Sequence, residues 1–192
     1  VCSSDLTAYG RVGEWFAAQH FKVEPDIIIT AKGITSGYIP LGAVLVAEHV
    51  AEQLGKDFGF PMGYTYNGHP TAAAVALANL QVIEDEGLLD RAKKIGEYLH
   101  EGLRTLLDLP IVGEVRYVGM MHAVELVADK DSRAPLPMLQ PMLPDVIRRE
   151  IGVIVRDCGH NLVLSPPLIM TEEEADRCVA AMRSVLERTT EI

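Results

Sequence analysis

Apolar runs that read as strands alternate along this chain with apolar positions spaced three to four apart that read as helices. Residues 14–21 (EWFAAQHF) have the mixture of a short helix or turn. Val23–Thr30 is predicted as a strand entered through Pro25-Asp26, and its run Ile27, Ile28, Ile29 suits burial on both faces. A loop over 31–41 leads to a second apolar run, LGAVLVAEHV (41–50), which ends in a polar helix start. Residues 55–69, rich in Gly and aromatics, are predicted to be irregular. Pro70 then opens a helix whose face is set by Ala73, Ala76, Leu77, Leu80 and Ile83, and Gly87 breaks it. A second helix spans about 88–107, with Ile95, Leu99, Leu103 and Leu106 on one face.

The pattern changes after Pro110. Residues 112–127 read as one or two antiparallel strands, and 129–144 as a proline-containing loop. A helix at 145–151, a strand at Val153–Val155 and a strand and turn at 161–171 follow. The last helix has the plainest signals: Thr171 and Glu174 form a capping-box pair, and Ala175, Cys178, Val179, Met182 and Val185 make its buried face. These elements give an α/β chain in two parts, residues 1–107 and 108–192.

Composition narrows the functional classes. Of the 192 residues, 48% are hydrophobic, enough for a core, and 23% are charged. The net charge of −10 argues against a nucleic-acid partner. No apolar run reaches the ~18 residues of a membrane span, and no signal-peptide pattern is present. Three cysteines, Cys2, Cys158 and Cys178, match neither a disulfide framework nor a zinc site, and His20, His49, His100, His122 and His160 lack metal-ligand spacing. This is the usage of a reduced, cytoplasmic protein, with Cys158 and Cys178 read as core residues. His69, just before the Pro70 helix, is read as an N-cap.

The segment DIIITAKGITSG (26–37) carries the chemistry. Lys32 ends the isoleucine strand and is followed by the small residues Gly33, Ser36 and Gly37. Such a lysine is either a solvated strand end or a Schiff-base lysine, whose amine attacks an aldehyde. Ligands of open α/β sheets bind at the carboxyl ends of strands, and glycine lets a bulky group approach the backbone.

The neighbouring segments weigh on that choice. YGRVGEWF (9–16), KVEPDIIITAKGITSGYIPLGAVLV (22–46), GYTYNGHPTAAAVALANL (63–80) and VRDCGHNLVLSPPL (155–168) occur in this order. Together they resemble the class III aminotransferases, pyridoxal-phosphate enzymes of fold type I. The resemblance implies part of the large cofactor-binding domain in residues 1–107 and an α+β C-terminal small domain in 108–192. It implies that Lys32 holds pyridoxal phosphate through its amine and carries the proton in a 1,3-shift. It further implies that Thr65 binds the phosphate of the neighbouring subunit, so that a homodimer shares its active sites. Taken alone, Thr65 reads as a turn residue. Arg156 matches the arginine that grips a substrate carboxylate in the ω-aminotransferase branch. Read without the resemblance, it is a surface arginine beside Asp157. Arg11 and Arg116 are read as structural.

The implied reaction is transamination between an amine or ω-amino acid and a 2-oxo acid such as pyruvate. Racemisation, aminomutase chemistry or decarboxylation on the same fold remains an alternative, as does an inactive truncated product. The beginning departs from the family pattern. Alignment on Gly10-Arg11 places Ser3 where the family has the aspartate that bonds the pyridinium nitrogen, and Asp5 lies two residues on. Two residues along a strand move a carboxylate ~6–7 Å. The hexapeptide VCSSDL reads as an assembly artefact, with the natural chain continuing upstream.

Overall fold

The computed structural model describes residues 2–3, 7–56, 63–136 and 143–189. Asp5 and residues 57–62 of the expected irregular stretch lie outside them. The chain forms two compact units, Val1–Leu89 and Asp90–Ile192.

In the first unit β1 (Cys2–Ser3) pairs in parallel with β2 (Ile27–Thr30), which pairs antiparallel with β3 (Ala43–Val46). The register sets Ser3 beside Ile28 and Thr30 beside Ala43. Helices α1 (Ala17–His20), α2 (Glu48–Gly55) and α3 (Pro70–Asp85) complete the unit. His69 caps α3, its Nδ1 accepting from the Ala72 amide at 3.4 Å. Two expectations need correction. β2 is not buried on both faces: Ile29 is 52% exposed, because no described residue covers its outward face. The inward face of α3 is Ala72, Ala76 and Ile83, whereas Leu77 is 69% exposed.

The second unit is built on α4 (Leu88–Arg104), whose residues Ala92, Ile95, Leu99 and Leu103 enter a shared core. That packing explains why the units part at Leu89/Asp90, ahead of the 107/108 boundary read from the sequence. A 3-10 turn at Thr105–Asp108 follows. β4 (Val112–Val118) and β5 (Met121–Asp129) form a hairpin closed by Gly119-Met120, with Gly119 at φ 55° as a two-residue turn requires. β6 (Ala134–Pro135) pairs with β5. After α5 (Leu143–Ile151), β7 (Arg156–Cys158) and β8 (Asn161–Leu164) extend the sheet in the order β4-β5-β8-β7.

The strand expected at Val153–Val155 is thus displaced to Arg156–Cys158. Gly152 takes φ 72°, Val155 drops into the core, and pairing begins only at Arg156 opposite Val163. Cys158 is exposed on this edge strand and is not a core residue, whereas Cys178 is buried and its thiol is pushed up to about 11. His122, Val124 and Leu126 alternate inward on β5, with Leu162 and Leu164 beside them on β8. On α6 (Glu172–Thr189), Ala175, Cys178, Met182 and Val185 complete the same core. The capping box forms: the Thr171 amide donates to Glu174 Oε2 at 2.9 Å, and the Glu174 amide donates to Thr171 Oγ1 at 3.2 Å. Among the described residues no helix is long and apolar enough to cross a membrane.

One polar group inside this core makes the fold sensitive to acid. His122 is 2% exposed and its Nε2 lies 2.9 Å from the Gly96 carbonyl, which only accepts, so Nε2 carries the proton. Its Nδ1 is buried with no hydrogen-bond partner among the described residues, and His100 and Tyr117 stack beside it. Burial holds His122 down at about 4, so that the unfolded chain binds the extra proton first as pH falls. The stabilisation is therefore complete above the ordinary histidine range near 6.5 and is lost as pH falls towards about 4. The loss expected across that window is about 3 kcal/mol. Denaturant titrations from pH 7 to pH 4 check this, and His122→Leu should flatten the dependence. An equally steep profile in the variant would assign it to other groups.

Candidate active site

β2 leads its chain into a tight left-handed corner. Thr30 is buried at the end of the strand, and its hydroxyl donates to the Tyr9 hydroxyl at 2.9 Å. Ala31 is extended, Lys32 takes φ 46°, a 3-10 turn covers Lys32–Thr35, and Ser36 takes φ 49°. Neither lysine nor serine favours such a backbone, which costs ~1–3 kcal/mol per residue, so the surroundings must hold it.

Three sets of contacts do so. Gly33 lies against Tyr9, where a Cβ would come 2.9 Å from ring atom Cδ2, so glycine alone fits without moving the ring. Asn79, on α3, donates from Nδ2 to the carbonyls of Gly33 at 3.0 Å and Ile34 at 3.2 Å. Its Oδ1 accepts from the Ser36 hydroxyl at 2.7 Å. Finally, the Thr35 hydroxyl donates to the Ile39 carbonyl at 2.7 Å. The Lys32 side chain stands on the exposed side of this corner.

Thr65 also belongs to the first unit, in an exposed turn in which the Asn67 amide donates to the Tyr64 carbonyl at 3.0 Å. Residues on either side of it, Tyr64 and Tyr66, line with Val44 and Leu54 an apolar cavity of about 820 Å³, which neither Lys32 nor Thr65 lines. Arg156 lies in the second unit, exposed on β7 at the edge of the sheet. Arg156 and Asp157 are consecutive on that strand and so point to opposite faces, and among the described residues no ion pair joins them. Arg116 is held at the surface by Glu114 at 2.8 Å and Asn161 at 2.7 Å, a structural role. Of the site residues read from the sequence, then, Lys32 and Thr65 share a unit and Arg156 does not. Tyr9 and Asn79 were missed. The available signal for Asn79 was a polar residue in phase with Ala72, Ala76 and Ile83.

The family described as "Aminotransferase class-III" matches residues 6–186. The chain belongs to the class III aminotransferases. It is 38% identical to a putrescine–pyruvate aminotransferase of Pseudomonas aeruginosa, over 96% of this chain and 41% of that protein. It is 33% identical to gamma-aminobutyrate transaminase 1, mitochondrial, of Oryza sativa subsp. indica, over 97% of this chain and 37% of that one. The aminotransferase chain thus spans about two-fifths of the length of these relatives. Among solved structures it resembles an (S)-enantioselective omega-transaminase from Thermomicrobium roseum. There the TM-score is 0.91 with 42% identity, over 97% of this chain and 42% of that one. An omega transaminase from Pseudomonas jessenii, solved in complex with PMP, gives a TM-score of 0.91 at 36% identity, over 100% of this chain and 44% of that one. The fold is accordingly that of the pyridoxal-phosphate-dependent transaminases.

The residues present suit that cofactor at its aldehyde end. A primary amine stands at a strand terminus, on the exposed side of a corner fixed from within. The backbone beside it is a glycine, and Thr65 offers a hydroxyl on an exposed turn.

Proposed function

We propose that the whole protein transfers an amino group between an amine or ω-amino acid and a 2-oxo acid such as pyruvate, with pyridoxal phosphate held by Lys32. The observation that carries this reading is the left-handed corner presenting Lys32 at the end of β2, inside the segment matched by the family. The relatives' names, with putrescine, pyruvate and gamma-aminobutyrate in them, support the substrate class.

When bound, the cofactor supplies an aldehyde and an electron-withdrawing ring. Lys32 Nζ is the group that would join that aldehyde carbon, and once displaced by a substrate amine it is free to move a proton. The Thr65 hydroxyl would donate to the phosphate. It is exposed on a turn, and among the described residues no hydrogen bond to its hydroxyl competes, which suits service to the phosphate of a neighbouring chain; a homodimer with shared sites is part of this reading. Arg156 would take the substrate carboxylate in its planar fork.

The reaction is tested by supplying the whole protein with putrescine, pyruvate and pyridoxal phosphate and assaying alanine. Alanine formed in step with loss of the diamine supports transamination. Carbon dioxide, or an amine merely inverted or rearranged, would assign one of the other pyridoxal-phosphate reactions. Arg156→Ala should lower kcat/KM for pyruvate far more than for an aldehyde acceptor, because losing one partner of a charge-assisted pair that substrate binding buries costs ~2–5 kcal/mol. Equal losses for both acceptors would place Arg156 in folding instead of substrate binding.

A further inference from the structure

We propose that Asn79 is a positioning residue for the cofactor lysine, holding from α3 the backbone corner that aims Lys32. This rests on the reading of Lys32 given above.

Asn79 stands where its own residue type is disfavoured. Asparagine is a poor helix former, and this one sits in the interior of a 16-residue helix on its inward face, between Ala76 and Ile83. An apolar residue there would favour both helix and packing. The side chain instead spends three hydrogen bonds on one short segment: two N–H groups on the carbonyls of Gly33 and Ile34, and its oxygen on the Ser36 hydroxyl. The reverse orientation would set the amide oxygen against two carbonyl oxygens, so the arrangement is fixed by chemistry.

The segment it grips is the one that needs gripping. Lys32 and Ser36, which bracket the grip, are both left-handed at φ 46° and 49°. A relaxed corner would return Lys32 to the right-handed region and swing the direction of its Cα–Cβ bond. Tyr9 restrains the same segment through its ring against Gly33 and through its hydroxyl, which accepts from Thr30. Asn79 and Tyr9 thus hold the corner from two separate parts of the first unit. Asn79 bonds the carbonyls of Gly33 and Ile34 and the Ser36 hydroxyl, so it acts on Lys32 through the backbone.

The test uses the full chain with pyridoxal phosphate itself as the probe. Borohydride reduction at short times, followed by peptide mass spectrometry, gives the rate of capture at Lys32 relative to the other lysines. Asn79→Leu keeps the bulk and improves helix propensity but removes all three bonds. It should cut the relative rate at Lys32 by ~10-fold or more, given two lost bonds to part-buried carbonyls. Ser36→Ala removes only the third bond and should cut it less. Hydrogen exchange should rise in Asn79→Leu at residues 31–38 and stay unchanged in α4–α6, which a general loss of folding would not produce. Preferential capture at Lys32 in both the natural chain and Asn79→Leu, with exchange unchanged, would overturn the positioning role and leave the lysine reading intact. If Lys32 is not preferred even in the natural chain, the lysine reading falls. The grip is then judged by exchange alone, and an unchanged 31–38 segment overturns it.

Discussion

Replacing Lys32 with alanine is expected to abolish the visible absorbance of bound pyridoxal phosphate and to stop turnover in the whole enzyme. On the proposed reading, two functions would leave with one amine: the covalent hold on the aldehyde and the carrier of the proton. Positioned proton transfer alone contributes ~10²–10⁴-fold, so the residual rate should fall by at least that much. Lys32→Arg should fail almost as completely, because a guanidinium stays protonated and forms no imine. The two variants separate chemistry from packing. Lys32 stands on the exposed side of its corner, so neither change should unfold the chain. Normal turnover in Lys32→Ala, with a reducible adduct on another lysine, would contradict the assignment.

The largest structural effect is expected from Gly96→Ala. Gly96 lies in the middle of α4, where alanine normally improves a helix by ~1 kcal/mol. Here a Cβ would come 2.1 Å from the Gly119 carbonyl oxygen and 2.6 Å from its carbon. Those are backbone atoms of a tight hairpin turn and no side chain can swing away. The hairpin would have to lift from the helix, breaking the His122 contact to the Gly96 carbonyl and uncovering Met120, which is fully buried. Overpacking against backbone, with loss of a buried polar contact, should destabilise the second unit by ~3 kcal/mol or more. Urea unfolding followed by circular dichroism measures it. A midpoint equal to that of the unchanged chain would mean that the helix and hairpin do not pack this closely.

How legible these features were in the sequence depended on the distance over which each is determined. α4 and α6 follow from local spacing and a local cap, and Ile95, Leu99, Leu103 and Met182 are buried as their period implies. α3 misled, because Leu77 and Asn79 exchange the roles that hydrophobicity assigns them: the leucine faces out and the amide faces in. β7 was displaced because strand propensity favoured Val153–Val155. Pairing is set instead by the Gly159-His160 turn, which puts Cys158 opposite Asn161 and Arg156 opposite Val163. At the site, the lysine at a strand end was visible in one segment. Its left-handed backbone was not, since it depends on Tyr9 and on Asn79, the latter 46 residues from Gly33 in sequence. The close approach of Gly96 to Gly119 is likewise a property of two distant segments meeting.

The central claim is that Lys32 is the lysine that takes the cofactor, and one measurement reaches it directly. The unaltered protein is incubated with pyridoxal phosphate, reduced with borohydride and digested, and the modified peptide is sequenced by mass spectrometry. The account predicts a single dominant pyridoxyl group on Lys32, within DIIITAKGITSG. Label spread among surface lysines, or concentrated on a lysine of the second unit such as Lys94 or Lys130, would contradict it.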